Sequence, residues 1–262
     1  VQGGIGTAKE NAFLFDFYKI DNTGWASPFL LVPEATVLDD QTRMMLLKAK
    51  RKDFYLSRIS PLGVPFNTVR NTVSEQEKLK KYYAGRPGSA CPKGHLISNT
   101  EFSKKQVCTA SIFFQKRKIK ELESLNLSKD ALEKAIMKVI NKACLCEDLA
   151  AGALIDNQIE NKRTLKPAVC PGPNLAYFSK LFSFSEMVGH IYGRFNALNA
   201  VPRSHMFVNE LKMYVKHFTK NKKLNLAKMG RLLDCHFVTA KKVLEQTGLT
   251  YLFDDSKNAY LE

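Results

Sequence analysis

The 262-residue chain contains no apolar run of the roughly 18 residues that a bilayer-crossing helix requires, so a helical membrane span is excluded. Cys-x2-Cys pairs are also missing, and with them the common zinc-finger signature. The six cysteines (Cys91, Cys108, Cys144, Cys146, Cys170 and Cys235) lack the dense spacing of a secreted disulfide scaffold, so a reducing cytoplasm is the expected compartment. Acidic residues are outnumbered, 25 Asp and Glu against 40 Lys and Arg, for a formal charge of +15. Such a balance attracts polyanions. The aromatic-interleaved arginine pattern of a nucleic-acid groove is nevertheless missing, so nucleic acid is not an expected partner and the lysines read as solvated surface. No internal repeat or low-complexity segment occurs. What is present is ordinary globular composition, 45% hydrophobic and 25% charged, enough for a real core.

The first residue is Val1, and Gln2-Gly3-Gly4-Ile5-Gly6-Thr7 reads as the end of a strand followed by a tight turn. The expectation is therefore a piece of a longer protein. Thr7 with Glu10 three residues on has the form of a capping box, opening a helix from Ala8 to Ile20. Asn22-Thr23-Gly24 ends it. Pro28-Phe29-Leu30-Leu31-Val32 is a continuous apolar run suited to a strand buried on both faces. Asp39 and Asp40 open a second helix through Lys50, their charges at its positive end. Turn, helix, strand and helix in succession is α/β alternation, and its missing strands are expected upstream.

Two prolines and a glycine make Ser60–Asn67 an extended excursion. Residues 73–84 read as a polar helix and 85–108 as a long loop, a kind that is uncommon unless functional or disordered. From about 111 the apolar spacing turns helical, with Ser128 as an N-cap and Ser183–Glu186 as a capping box for a helix to about Asn196. A further helix is expected over 204–220, a basic turn over 220–223, and two short helices at the end of the chain. Tyr177, Phe178, Phe182, Phe184, Met187, Ile191 and Tyr192 read as core packing.

Glycines at a strand-to-helix junction let backbone N–H groups approach a phosphate, and the helix N-terminus adds positive charge. In (β/α)8 barrels such a site forms after the seventh and eighth strands. Gly3-Gly4-Ile5-Gly6-Thr7, then Leu31-Val32-Pro33-Glu34-Ala35-Thr36, then Pro61–Asn71 resemble in order and spacing the closing segments of nitronate monooxygenases, once called 2-nitropropane dioxygenases. The resemblance covers roughly the first 71 residues. It implies an FMN-dependent TIM-type barrel that oxidises small carbon acids with dioxygen. Related barrels serve as enoyl reductases.

By residue match, Gly3, Gly4, Ile5, Gly6 and Thr7 would hold the FMN phosphate, with Val32, Pro33, Glu34 and Ala35 as the second half of the cradle. Here the chain departs from the family. A glycine-threonine pair is usual in that second loop, whereas Pro33 lacks a donor and an inward Glu34 would repel phosphate. The family's proton-abstracting histidine belongs to an earlier loop. None of His95, His190, His205, His217 and His236 matches it, so no catalytic base is assigned.

The expected organisation is thus the last βα units of a flavin-binding barrel over 1–71, a loop-rich connection over 72–110 and a mainly helical extension over 111–262. In the latter two parts Cys91, Cys108, Cys144, Cys146 and Cys170 sit in proline- and glycine-containing loops or near them. They are enough thiols for zinc or an iron-sulfur cluster, and the alternatives are buried small hydrophobes or a reactive thiol, Cys91 having Lys93 and His95 close in sequence. Two functions follow: an FMN-dependent oxidoreductase of a small-molecule substrate, or a metal- or cluster-binding accessory module. Arg194, Arg203 and Lys212 are candidates for an anion site, and the loose pattern of 224–248 falls short of a helix-turn-helix.

Overall fold

A computed structural model describes residues 1–91, 93–159, 165–210, 212 and 213. The expectations for His217, Cys235, His236 and the helices beyond residue 213 lie outside these residues. In chain order the helices are α1 (Ala8–Tyr18), α2 (Asp40–Lys48), α3 (Val73–Tyr83), α4 (Ile112–Ser124), α5 (Lys129–Ile140), α6 (Leu145–Asp156) and α7 (Phe184–Ile191). Short 3-10 helices cover Ser27–Leu31, Arg51–Asp53 and Pro173–Tyr177. Among the described residues the one regular sheet is an antiparallel hairpin of β1 (Phe54–Ser57) and β2 (Phe66–Val69), pairing Phe54 with Val69 and Ser57 with Phe66.

The chain divides into two compact units. The first comprises Val1–Trp25, His190–Arg194 and the described residues from Ala200; the second comprises Ala26–Gly189 and Phe195–Asn199. The compact units therefore part near residue 25, whereas the sequence reading drew its first boundary at 71. The reason is long-range: Ile5 and Leu14 bury against Met206, so distant segments complete the small first core.

In the second unit, Leu31, Val32, Leu46, Phe54, Val69, Leu175, Phe178, Phe182 and Met187 share one buried cluster. Pro28–Val32, expected as a strand, is instead largely a 3-10 helix. Pro28 sits in its first turn, and the amides of Phe29 and Val32 donate to Ala26 and Phe29. A short apolar run buried on all sides has no periodicity to separate strand from helix, and here the proline at the start decides. The buried Arg43 stitches this segment to the next turn, donating to the carbonyls of Thr36 and Leu38 at 3.0 and 2.9 Å.

Side-chain caps form, those of Thr7 and Ser128 at expected positions. The side chains of Thr7, Asp39, Thr72, Ser111 and Ser128 accept from the amides of α1, α2, α3, α4 and α5. Ser183 and Glu186 make a full capping box at α7, each side chain accepting from the other's amide. That helix stops at Ile191 rather than near Asn196, because Gly193 takes a left-handed φ of 77°.

Candidate functional site

Two arrangements concern the residues singled out by sequence. The first is the glycine turn of the first unit. Gly3 and Gly4 have φ of 92° and 78°, left-handed conformations that side chains with a Cβ adopt at a cost. Thr7 Oγ1 accepts from the Glu10 amide at 3.1 Å. Glu10 does not complete the expected capping box. Its carboxylate reaches one residue further back, accepting from the Gly6 amide at 2.8 Å, from Arg203 Nη1 at 2.7 Å and from the Met206 amide at 2.6 Å.

Arg203 also donates through Nη2 to the Gly4 carbonyl at 2.7 Å, and its guanidinium lies so flat on Gly6 that a Cβ there would meet Cζ at 2.6 Å. His190 Nε2 lies 3.0 Å from the Gly6 carbonyl, and its ring stands edge-on to Trp25. The turn is therefore held around a buried carboxylate of the chain itself.

Extended backbone on either side of α1 is paired. Gln2 and Gly24 form a parallel bridge, with the Gly24 amide donating to the Val1 carbonyl at 2.8 Å. A Cβ at Gly24 would fall 2.8 Å from Gln2 Cβ, so glycine permits this approach. Gln2 and Gly24, one residue each, are thus bridged in parallel across the glycine turn and α1.

The expected second half of the cradle, Val32–Ala35, lies in the other unit. Its amides are engaged locally: Val32 donates to Phe29 and Ala35 donates to Val32. Glu34 does not face an anion, because its carboxylate accepts from the Phe184 amide at 2.6 Å, at the N-terminus of α7. Sequence reasoning placed the returning strand at the most apolar run and so missed Gly24. The signal available was the glycine itself, read only as a helix breaker.

The chain matches none of the known protein-family models, curated proteins or solved structures with which it was compared.

The second arrangement lies wholly in the second unit and concerns the thiols. Cys108 is buried, and burial pushes its thiol up from the usual range. The Ala110 backbone opposes that rise, and Cys91 and Cys146 add to it by their charge. Cys144, the N-cap of α6, is pushed up to about 12, chiefly by burial, then by Asp148, Glu147, Cys146 and Cys108.

Backbone contacts bring the segments that carry these cysteines to one loop. A parallel bridge between Ser89 and Ser111 sets the Cys91 segment beside the turn that carries Cys108. Thr109 Oγ1 donates to the Pro61 carbonyl at 2.9 Å, and the Ala143 amide donates to the Ile59 carbonyl at 3.0 Å. Lys142 Nζ donates to the carbonyls of Arg58 and Ser60, both at 2.8 Å. The hairpin loop between β1 and β2 thus receives both cysteine segments.

A cavity of about 410 Å³ opens here, lined among others by Ser60, Phe66, His95, Leu96 and Cys146. Cys170 has a different setting. It is exposed, with burial of its sulfur raising its pKa and the Asn67 backbone opposing that rise. Among the described residues, no three His, Cys, Asp or Glu side chains are placed so that they could hold a metal ion. Nor is any helix long and apolar enough to cross a membrane.

Proposed function

We propose that the chain is the C-terminal portion of an FMN-dependent oxidoreductase of the nitronate monooxygenase or enoyl reductase-like class, acting on a small-molecule substrate. The observation that carries this reading is the parallel bridge between Gln2 and Gly24 across α1. Parallel strands joined by a helix are the repeating unit of a (β/α)8 barrel, and phosphates bind at the mouths of such units, beside glycine turns and helix N-termini. Gly3 adds support: it is exposed, left-handed and faces open space on its Cβ side, which leaves room for a phosphoryl group to approach the turn.

In this reading Gly3–Thr7 contribute one half of the cradle. The Gly24–Trp25 segment takes the role first expected of Val32–Ala35. The Gly6 amide holds the turn in shape through Glu10 and is not itself a phosphate donor. This reading predicts about 200 or more preceding residues arranged as strand-helix repeats, which the upstream coding region would reveal.

The test is to express this sequence with its upstream coding region and titrate the protein with FMN and with riboflavin. The expected result is a yellow protein absorbing near roughly 450 nm. FMN should bind at least about tenfold more tightly than riboflavin, because only FMN carries the charged phosphate. A colourless protein with no FMN uptake, or equal affinity for the two flavins, overturns the proposal.

A further inference from the structure

We propose that the cavity beside the hairpin loop binds a medium-chain fatty acid, with its alkyl chain on the apolar wall and its carboxylate at Ser60. The site lies wholly in the second unit and is independent of the flavin reading.

Three separate stretches of chain supply the apolar wall. Phe66 opens β2, Leu96 comes from the long loop before α4, and Leu145 is the first residue of α6. All three pack with Ile59 and Ala143 in one small core cluster, which forms the floor. Around the mouth, Leu62, Val64 and Leu149 keep 50%, 57% and 44% of their exposure. Large apolar side chains grouped around one opening mark a binding surface, because an apolar occupant removes them from water. The volume of about 410 Å³ lies near the lower end of the roughly 300–1,000 Å³ of small-molecule sites, which suits a chain of moderate length.

Ser60 gives this wall a polar end. It retains only 7% exposure, and its Oγ accepts from the Leu62 amide at 3.3 Å. The hydroxyl proton itself has no acceptor among the described residues. The Ser60 carbonyl accepts from Lys142 Nζ at 2.8 Å, as does the Arg58 carbonyl. Two of the three ammonium protons are thereby used. Among the described residues neither Lys142 nor Arg58 has an ion-pair partner. Burial and the Arg58 guanidinium hold the Lys142 ammonium below the usual lysine range, and an anion beside Ser60 would relieve that repulsion.

No acidic side chain lines the cavity. Glu147 and Asp148 follow Cys146 on α6 outside the lining, and Asp148 is engaged by Ser74. An ionised carboxylate only accepts hydrogen bonds, so it matches a spare hydroxyl proton next to an unpaired ammonium. A carboxylate head also leaves most of a cavity this size to the chain.

The experiment titrates the full chain with octanoate, octanol and octyltrimethylammonium, each below its micelle concentration. Calorimetry gives affinity and stoichiometry, and backbone amide shifts give the location. The expected result is one octanoate per chain, bound at least about tenfold more tightly than octanol, with no uptake of the cation. Hexanoate, two methylenes shorter, should bind about tenfold more weakly than octanoate. The shifts should fall on Leu62, Leu96, Cys146 and Leu149. Leu149→Glu, at an exposed helix position, should keep the circular dichroism spectrum and weaken octanoate by at least about tenfold. Leu56→Glu, at an exposed leucine of β1 outside the lining, should bind like the parent.

Octanol binding as tightly as octanoate, uptake of the cation or a lack of saturable binding overturns the proposal. So does undiminished affinity in Leu149→Glu or an equal loss in Leu56→Glu. A dimer in sedimentation that shifts the same amides and blocks octanoate would assign the cavity to a second copy of the chain and overturn it as well.

Discussion

Arg203 donates to the carboxylate of Glu10, 193 positions away in sequence, at 2.7 Å, and the two side chains retain only 6% and 2% of their exposure. The pair closes the first unit. Removing one member of such a buried pair leaves the other charge uncompensated, at a cost of about 3–5 kcal/mol. Arg203→Met should therefore lower stability by about that amount. Glu10→Gln, which keeps an acceptor for the Gly6 and Met206 amides, should cost less. Chemical denaturation together with hydrogen exchange at Gly6 and Met206 measures both.

Gly6 is the surface on which that guanidinium rests. A methyl group there would lie 2.6 Å from Arg203 Cζ, and the guanidinium cannot yield because Glu10 and the Gly4 carbonyl hold it. Gly6→Ala should destabilise by about 1–3 kcal/mol. Adding Arg203→Met to Gly6→Ala should cost less than the sum of the two single changes, since the clash disappears with the guanidinium. A double-mutant cycle in denaturant reads this, and strict additivity would contradict the stacking.

How far did the sequence carry these features? The caps were legible because they are local: Ser or Thr three positions ahead of an amide is a complete signal. Thus Ser128, Ser183 and Thr7 were visible, as were the helices they open. The partner of Glu10 was not, since nothing near residue 10 announces residue 203. The same limit applies to Pro28–Val32, whose apolar run says "buried" but not "strand". For the cysteines, the candidate residues could be named from sequence. Only the hairpin loop reveals that the Cys108 and Cys144 segments meet on one stretch of chain. The parallel return at Gly24 escaped because a single bridge leaves no alternating pattern.

Asp148 carries a pH signature. Its carboxyl is raised to about 6, mainly by burial, against opposing effects of the Ser74 hydroxyl, Lys166 and Lys78. A raised carboxyl means that the folded state holds its proton more tightly than the unfolded state does. The resulting stability is full below the unfolded value of about 3.9 and is lost as pH climbs through about 6. The protein should therefore lose up to about 3 kcal/mol between pH 4 and 7 at this site. In Asp148→Asn that portion of the slope should vanish. Urea midpoints across this range, parent against variant, test it.

Glu34 is expected to act as a remote cap for α7. Its carboxylate accepts from the Phe184 amide at the positive end of that helix. Glu34→Ala should cost about 1 kcal/mol, and Glu34→Gln about half as much because the charge contribution alone is lost. Thermal denaturation of the three proteins at low salt would show the order, and raising the salt should narrow the gap between parent and Glu34→Gln.

The loop joining β1 to β2 offers its carbonyl oxygens, from Arg58 through Pro61, to two distant parts of the chain. Four peptide oxygens in a row thereby act as a jig for sulfur atoms that lie dozens of positions downstream. Lengthening that loop by a single residue would rotate the oxygens out of register and misplace Cys108 and Cys144 together, with neither cysteine altered. In this fold the spacing of the thiols is written in a stretch of chain that contains none.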